Sequence, residues 1–284
     1  MRCIALMALF VFLPMLSNAE EPAAAAAATP APLGLVDNPC PAPLSMPPVM
    51  AGGLDRMLTP GKPAADLQSS FGRPEVQEYL KAIQERARTD WPNLCQYRAA
   101  NAGLAQTTRV VFMGDSITEF WARADTQLFS HGVIGRGISG QTSPQMLLRF
   151  FQDVVELHPR IVHIMAGTND LAGNTGPEST QDFKNNIMAM VDLAHANKIR
   201  VALASIPPAS AFPWKPGLKP AADIVTLNAW LRGYAKASGS GYVDYYSVLA
   251  DPQGGFMTAL SNDGVHPNRD GYMKMRALAS KAIR

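Results

Sequence analysis

Residues Arg109 to Phe120 read RVVFMGDSITEF. Arg109 to Met113 is a short run rich in β-branched and aromatic residues that stops at Gly114, the pattern of a buried strand running into a sharp turn. Asp115, Ser116 and Thr118 are good helix N-cap residues and Glu119 suits a first turn, so Ser116 is predicted where a strand hands over to a helix. A helix N-terminus offers free backbone N–H groups and the positive end of a dipole, which would stabilise negative charge developing beside Ser116.

A serine hydroxyl is a poor nucleophile unless a base takes its proton, and the usual base is a histidine oriented by a carboxylate. Asp263-Gly-Val-His266-Pro267 supplies both, in a loop before a final helical segment. Between the two ends lie GRGISG (Gly135 to Gly140) and AGTND (Ala166 to Asp170), each after an apolar run. In order and content these stretches resemble the SGNH hydrolases, also called GDSL esterases and lipases.

The resemblance spans Arg109 to the C-terminus. It implies Ser116 as nucleophile, Asp263 and His266 as acid and base, and an oxyanion hole of Ser116, Gly140 and Asn169. Two positions depart from the family pattern. Ile117 stands where the signature has Leu, and Gln141 stands where many members have Asp, which leaves the pocket floor open. The resemblance also implies a flavodoxin-like three-layer α/β/α sandwich with a five-stranded parallel sheet, and chemistry that needs no cofactor.

Periodicity agrees with that class. Strand-like runs at 109–113, about 131–135, 160–166, 199–206 and 241–245 alternate with helical runs at 142–157, 183–196 and 221–237. Such alternation implies a parallel sheet covered on both faces. Ligands bind these sheets at the carboxyl ends of the strands, and Ser116, Gly140 and Asn169 each follow a strand.

The N-terminal part has a different composition. Residues 1–19 carry Arg2, an apolar stretch from Ile4 to Leu16 and Ser17-Asn18-Ala19, the layout of a secretory signal peptide too short and Pro-interrupted to span a membrane. The mature chain is therefore expected to be secreted or periplasmic, without a stable membrane anchor. Residues 20–63 form a Pro/Ala-rich linker and arm, with ten of the 23 prolines and an alanine run from Ala23 to Ala28. Residues 64–108 are read as a helical extension packed on the domain. Pro74 opens a helix with Val76, Leu80, Ile83 and Ala87 on one face, and Trp91, Leu94 and Tyr97 are expected to pack. The catalytic domain is placed at 109–284.

Cys3 lies in the leader, so Cys40 and Cys95 remain, either as a disulfide favoured by export or as two separate thiols. Lys and Arg total 25 against 23 Asp and Glu, and the leader removes one Arg and no acid. The near-neutral balance and the lack of any basic run argue against nucleic acid and acidic membranes as partners. Oligomeric state is not legible.

Several residues have ordinary alternatives. Ser116, Gly140 and Asn169 could each be turn residues, and Asp115 and Asp170 are read as structural. His163 and His195 are read as packing or surface residues, as are His131 and His158. GRGISG also fits G-x-G-x-x-G, but it follows the second strand and meets Gln141 to Pro144 instead of opening a helix directly, against a dinucleotide site. No HExxH helix or CxxC pair suggests a metal. The Pro-rich stretch Ile206 to Pro220 leaves the fourth strand, which makes Phe212 and Trp214 candidate walls of a substrate pocket or anchors of their own loop.

These readings converge on an ester hydrolase acting through an acyl-enzyme, with acetyl on a carbohydrate as the leading substrate. A short-chain acyl ester or a lysophospholipid is the alternative. An inactive glycan-binding module of the same fold is the alternative of another class.

Overall fold

The computed structural model describes residues 34–62, 69–104 and 107–284. The chain divides into residues 1–39 and 40–284. Of the first unit, residues 34–39 are exposed and carry neither helix nor strand. The signal-peptide reading of residues 1–19 lies outside the described residues, as does the alanine run.

In the second unit, five parallel strands are formed by Val110–Gly114 (β1), Val133–Gly137 (β2), Ile161–Met165 (β3), Arg200–Ala204 (β4) and Gly241–Val243 (β5). Their order is β2-β1-β3-β4-β5. The order reverses between β1 and β3, where a doubly wound sheet opens its ligand crevice. This is the flavodoxin-like arrangement, reached because every strand returns through a helix to lie parallel to its neighbour.

Side chains alternate across the sheet and build two cores. Val111, Met113, Val162, Ile164, Val201 and Leu203 face one side. They pack against Ser143–Asp153 (α5), Thr180–Ala196 (α7) and Ala221–Ala237 (α8), through residues such as Phe150, Met190 and Leu231. Val110, Phe112, Ala202 and Val243 face the other side, against Pro48–Leu58 (α1), Ser116–Ala124 (α4) and Arg269–Ala282 (α10). There Trp121 meets Phe112 edge-on at 5.5 Å and stacks on Tyr272 at 5.6 Å. His163 is buried in this aromatic cluster, bonded to the Tyr245 hydroxyl at 2.9 Å, and burial lowers its pKa to about 3.

Local backbone shifts some expected boundaries. β2 begins at Val133, two residues late, because His131 and Gly132 both have positive φ and form a turn. The helix expected over 142–157 ends at Asp153; a single 3-10 turn, Val155–Leu157, follows and is closed by left-handed His158. The expected apolar face of Pro74–Thr89 (α2) buries only Val76, while Ile83 is 39% exposed. The extension is held instead by polar contacts of the segment after α2. Gln141 and Gln145 donate to the Pro92 and Trp91 carbonyls, and the Tyr97 hydroxyl donates to the Gly137 carbonyl at 2.5 Å. Cys40 and Cys95 are joined as a disulfide. Arg98–Ala102 (α3) ends this segment.

Candidate active site

The site forms where β1 ends. Asp115 is the N-cap of α4, its Oδ1 accepting the Ile117 N–H at 2.9 Å, and Ser116 is the first helical residue. Two glycines make the turn possible. A Cβ on Gly114 would lie 2.1 Å from Thr118 Oγ1, and one on Gly137 would lie 2.2 Å from the Glu119 nitrogen. β1, β2 and α4 can therefore approach only if these positions carry no side chain.

Opposite Ser116 stands the loop before α10. Asp263 Oδ1 accepts the N–H groups of Val265 and His266 at 2.9 and 2.8 Å, folding the loop around its carboxylate. Asp263 Oδ2 lies 2.6 Å from His266 Nδ1, and His266 Nε2 lies 2.9 Å from Ser116 Oγ. The structure thus joins Ser116, His266 and Asp263 in one hydrogen-bonded chain, across 150 residues of sequence. The Tyr272 hydroxyl donates to the Ile117 carbonyl at 2.8 Å, which ties α10 to the helix that carries Ser116.

Electrostatics follow from this geometry. Burial alone would raise the Asp263 pKa, but the charge of His266 and hydrogen bonds from His266 and Val265 hold it at about 2. For His266 burial opposes the charged form, and the charge and hydrogen bond of Asp263, helped by the charge of Asp115, outweigh it and raise the pKa. Asp115 itself is pushed up to about 6, by burial first, against the hydrogen bond from Ile117.

Gly140 and Asn169 lie on neighbouring turns. The Ile138 N–H donates to the Gly114 carbonyl at 3.1 Å, bringing the 138–141 turn beside the turn that carries Ser116. Gly140 has φ +80, and a Cβ there would meet open space, so its glycine is needed for backbone conformation. The N–H groups of Ser116 and Gly140 donate to no protein acceptor among the described residues. Asn169 lies in a short helix, Thr168–Leu171 (α6), after β3. Its Nδ2 donates to the Gln141 carbonyl at 3.0 Å and, more weakly, to Asp115 Oδ2 at 3.3 Å. Asp170 Oδ1 accepts the Ser143 N–H at 2.8 Å and so anchors α5 to the same turn.

The side chain of Gln141 points away from this chemistry. It donates to the Pro92 carbonyl and accepts from Arg149, whose buried guanidinium also pairs with Asp153 at 3.0 Å and reaches the Gly114 carbonyl. The glutamine bridges the extension to a buried ion pair instead of lining the pocket floor.

Trp214 and Phe212 separate into different roles. Trp214 is 39% exposed with its ring 6.4 Å from the His266 imidazole. Phe212 is buried at 1% exposure and stacks beneath Trp214 at 5.2 Å. Of the two roles open to these aromatics, burial of Phe212 fits an anchor of its own loop, whereas Trp214 stands beside the imidazole.

Three contributors escaped sequence reading. Phe120 lies 5.2 Å from the His266 ring, four residues after Ser116 on the same helix, a spacing that could have marked it. Glu119 Oε2 accepts the N–H and the hydroxyl of Ser139 at 2.7 and 2.6 Å, fixing the turn that carries Gly140. Asn174 donates to Asn169 Oδ1 at 2.7 Å and accepts from Trp214 Nε1 at 3.0 Å. No local sequence signal marks that link.

A doubly wound α/β/α sheet with a hydrogen-bonded serine, histidine and aspartate at its carboxyl edge is the layout of the SGNH class of hydrolases. Residues 112–274 match the model of the GDSL-like lipase/acylhydrolase family, and the chain belongs to that family. A Bacteroides fragilis structure described as an acylhydrolase is 46% identical, with a TM-score of 0.66, over 68% of this chain and 96% of the other. A GDSL-like lipase of Bacteroides thetaiotaomicron is also 46% identical, with a TM-score of 0.65, over 68% and 97%. An acetyl xylan esterase shares the fold at 23% identity and a TM-score of 0.52, over 62% and 100%. A search of curated proteins gave no match.

Proposed function

We propose that this acylhydrolase is an exported serine carboxylester hydrolase that removes acetyl groups from a carbohydrate ester. The observation that carries the reading is the continuous hydrogen-bonded chain from Ser116 Oγ through His266 to Asp263. Ser116 Oγ attacks the ester carbonyl as His266 Nε2 takes its proton, and Asp263 holds the imidazole tautomer and balances the imidazolium. The oxyanion is received by the Ser116 and Gly140 N–H groups and by Asn169 Nδ2, which gives up its longer bond to Asp115. The intermediate collapses, His266 returns the proton to the departing alcohol, and an acyl-serine remains. Water, deprotonated by the same histidine, then releases the carboxylic acid.

Trp214 supports a sugar as the alcohol, because an exposed ring beside the imidazole offers a flat face for stacking. An acetyl xylan esterase shares the fold, which is compatible with an acetylated carbohydrate as substrate. The leader-like N-terminus and the Cys40–Cys95 disulfide support export.

The test compares p-nitrophenyl esters of increasing chain length, a lysophospholipid and acetylated xylan. Acetyl release should dominate, and Trp214→Ala should raise KM for acetylated xylan about tenfold more than for p-nitrophenyl acetate, equivalent to about 1.4 kcal/mol of stacking. Preference for long chains would move the assignment to lipid esters. Glycan binding without turnover would make the chain a binding module.

A further inference from the structure

The geometry points to a second binding site, a cavity at the amino ends of the strands that takes a small, soluble, multiply charged oxyanion such as a pyrophosphate or phosphate ester. The cavity has a volume of about 640 Å³, within the size range of small-molecule sites, and is lined by Arg109, Arg160, Arg200, Arg276 and Arg284 with His131. The whole chain has a formal net charge of only +2, so five arginines around one concavity are a local concentration of charge.

The backbone brings them together. The Arg160 N–H donates to the Arg109 carbonyl at 2.9 Å, and the Arg200 N–H donates to the Arg160 carbonyl at 3.0 Å. Three arginines therefore stand at the starts of β1, β3 and β4, Arg109 level with Arg160 and Arg200 one position further on, opposite Ile161. Like charges gathered around one concavity repel one another, and a bound anion lowers that penalty.

Among the described residues, a carboxylate side chain fills this role for Arg276 alone. Arg276 pairs with Asp125 at 3.2 Å, and Arg200 donates to the main-chain oxygen of Arg284 at 2.9 Å. The side chains of Arg109, Arg160 and Arg284 have no acceptor among the described residues. The buried strand starts Val110, Val133 and Ile161 form an apolar floor, and charges of one sign around a low-dielectric concavity focus the field within it. Guanidinium forks match phosphate oxygens two at a time. Concavity favours a compact soluble anion over a bilayer surface, which would meet a flat or convex patch.

The test titrates sodium pyrophosphate into the full chain at low ionic strength by calorimetry, with sodium acetate as control. Binding tighter than about 1 mM is expected, weakening as salt is added. R109Q/R160Q should weaken it at least about tenfold and leave turnover of p-nitrophenyl acetate within about twofold of the parent. The single variant R160Q, at an exposed position, gives the same reading should the double variant fail to fold. No pyrophosphate binding, equal binding of acetate, or undiminished affinity in a folded variant would overturn the site. Sedimentation with phosphatidylglycerol vesicles should show no association; association with vesicles but not with pyrophosphate would assign the arginines to a membrane and overturn the small-anion proposal.

Discussion

One sheet handles charge differently at its two ends. Around the carboxyl ends of β1 and β3 stand Asp115, Glu119, Asp170 and, from the last loop, Asp263. At the amino ends stand Arg109, Arg160 and Arg200, joined by Arg276 and Arg284. Five-residue strands keep the two groups roughly 16 Å apart, beyond the screening length of physiological salt, so each end acts as its own electrostatic environment. The carboxyl end spends its charge internally: the acids cap helices, hold turns and polarise a histidine. At the amino end, the side chains of three of the arginines, Arg109, Arg160 and Arg284, have no acceptor among the described residues. A site whose charges are mutually satisfied is preorganised for chemistry, whereas one whose charges are left over is suited to a counter-ion.

The largest effect that separates the two ends is loss of the proposed base. His266→Ala should lower kcat by about 10⁴-fold or more, with pyrophosphate binding unchanged. Steady-state kinetics and calorimetry on the same preparation check both halves, and near-normal turnover in the folded variant would remove His266 from the mechanism. The parent should also lose kcat/KM as pH falls through a value above the unperturbed histidine pKa of ~6.5, because Asp263 and Asp115 favour the imidazolium, which cannot accept the serine proton. An acid limb below that value would contradict the electrostatic account.

Next in size is the clamp on the extension, which touches the carboxyl end through Tyr97 and Pro92. The Cys40–Cys95 bond spans 55 residues, and C40S/C95S should lower unfolding stability by about 4 kcal/mol on the chain-entropy scale. Denaturant melts measure it. A loss under about 1 kcal/mol would mean that the hydrogen bonds alone hold the segment.

The smaller effects lie within the carboxyl end. If Asn169 is the proposed oxyanion donor, Asn169→Ala should lower kcat roughly 10² to 10³-fold with little change in KM, because such a donor serves charge present only in the transition state. Asn174→Ala removes only the bond that fixes the Asn169 rotamer, so a loss of about tenfold in kcat is expected, the worth of one such hydrogen bond. Single-turnover acylation rates distinguish the two. Equal losses would make Asn174 a donor in its own right, and a loss confined to KM in either variant would assign that residue to binding.

The two ends also differ in how much of each can be read from residues alone. Ser116, Asp263 and His266 sit in short motifs because each needs a local device, a strand-to-helix turn or a loop folded around one carboxylate, and local devices are written in consecutive residues. The alternation of apolar runs fixed a parallel α/β/α sheet for the same reason, since strand and helix periods are properties of short windows. Boundaries slipped where a turn depended on positive φ at His131 or His158. The apolar pattern of α2 read as a packed face, yet only Val76 on it is buried, because a helix period says which face is apolar and not whether anything covers it.

Tertiary structure alone decided the rest. It buried Phe212 and left Trp214 beside His266, turned Gln141 toward the extension, and linked Trp214 through Asn174 to Asn169. It also assembled the arginine cavity, whose members are so far apart along the chain that the sequence shows no basic run. Composition counts charges without regard to position, and only the parallel register, which sets strand starts side by side, turns scattered arginines into one field.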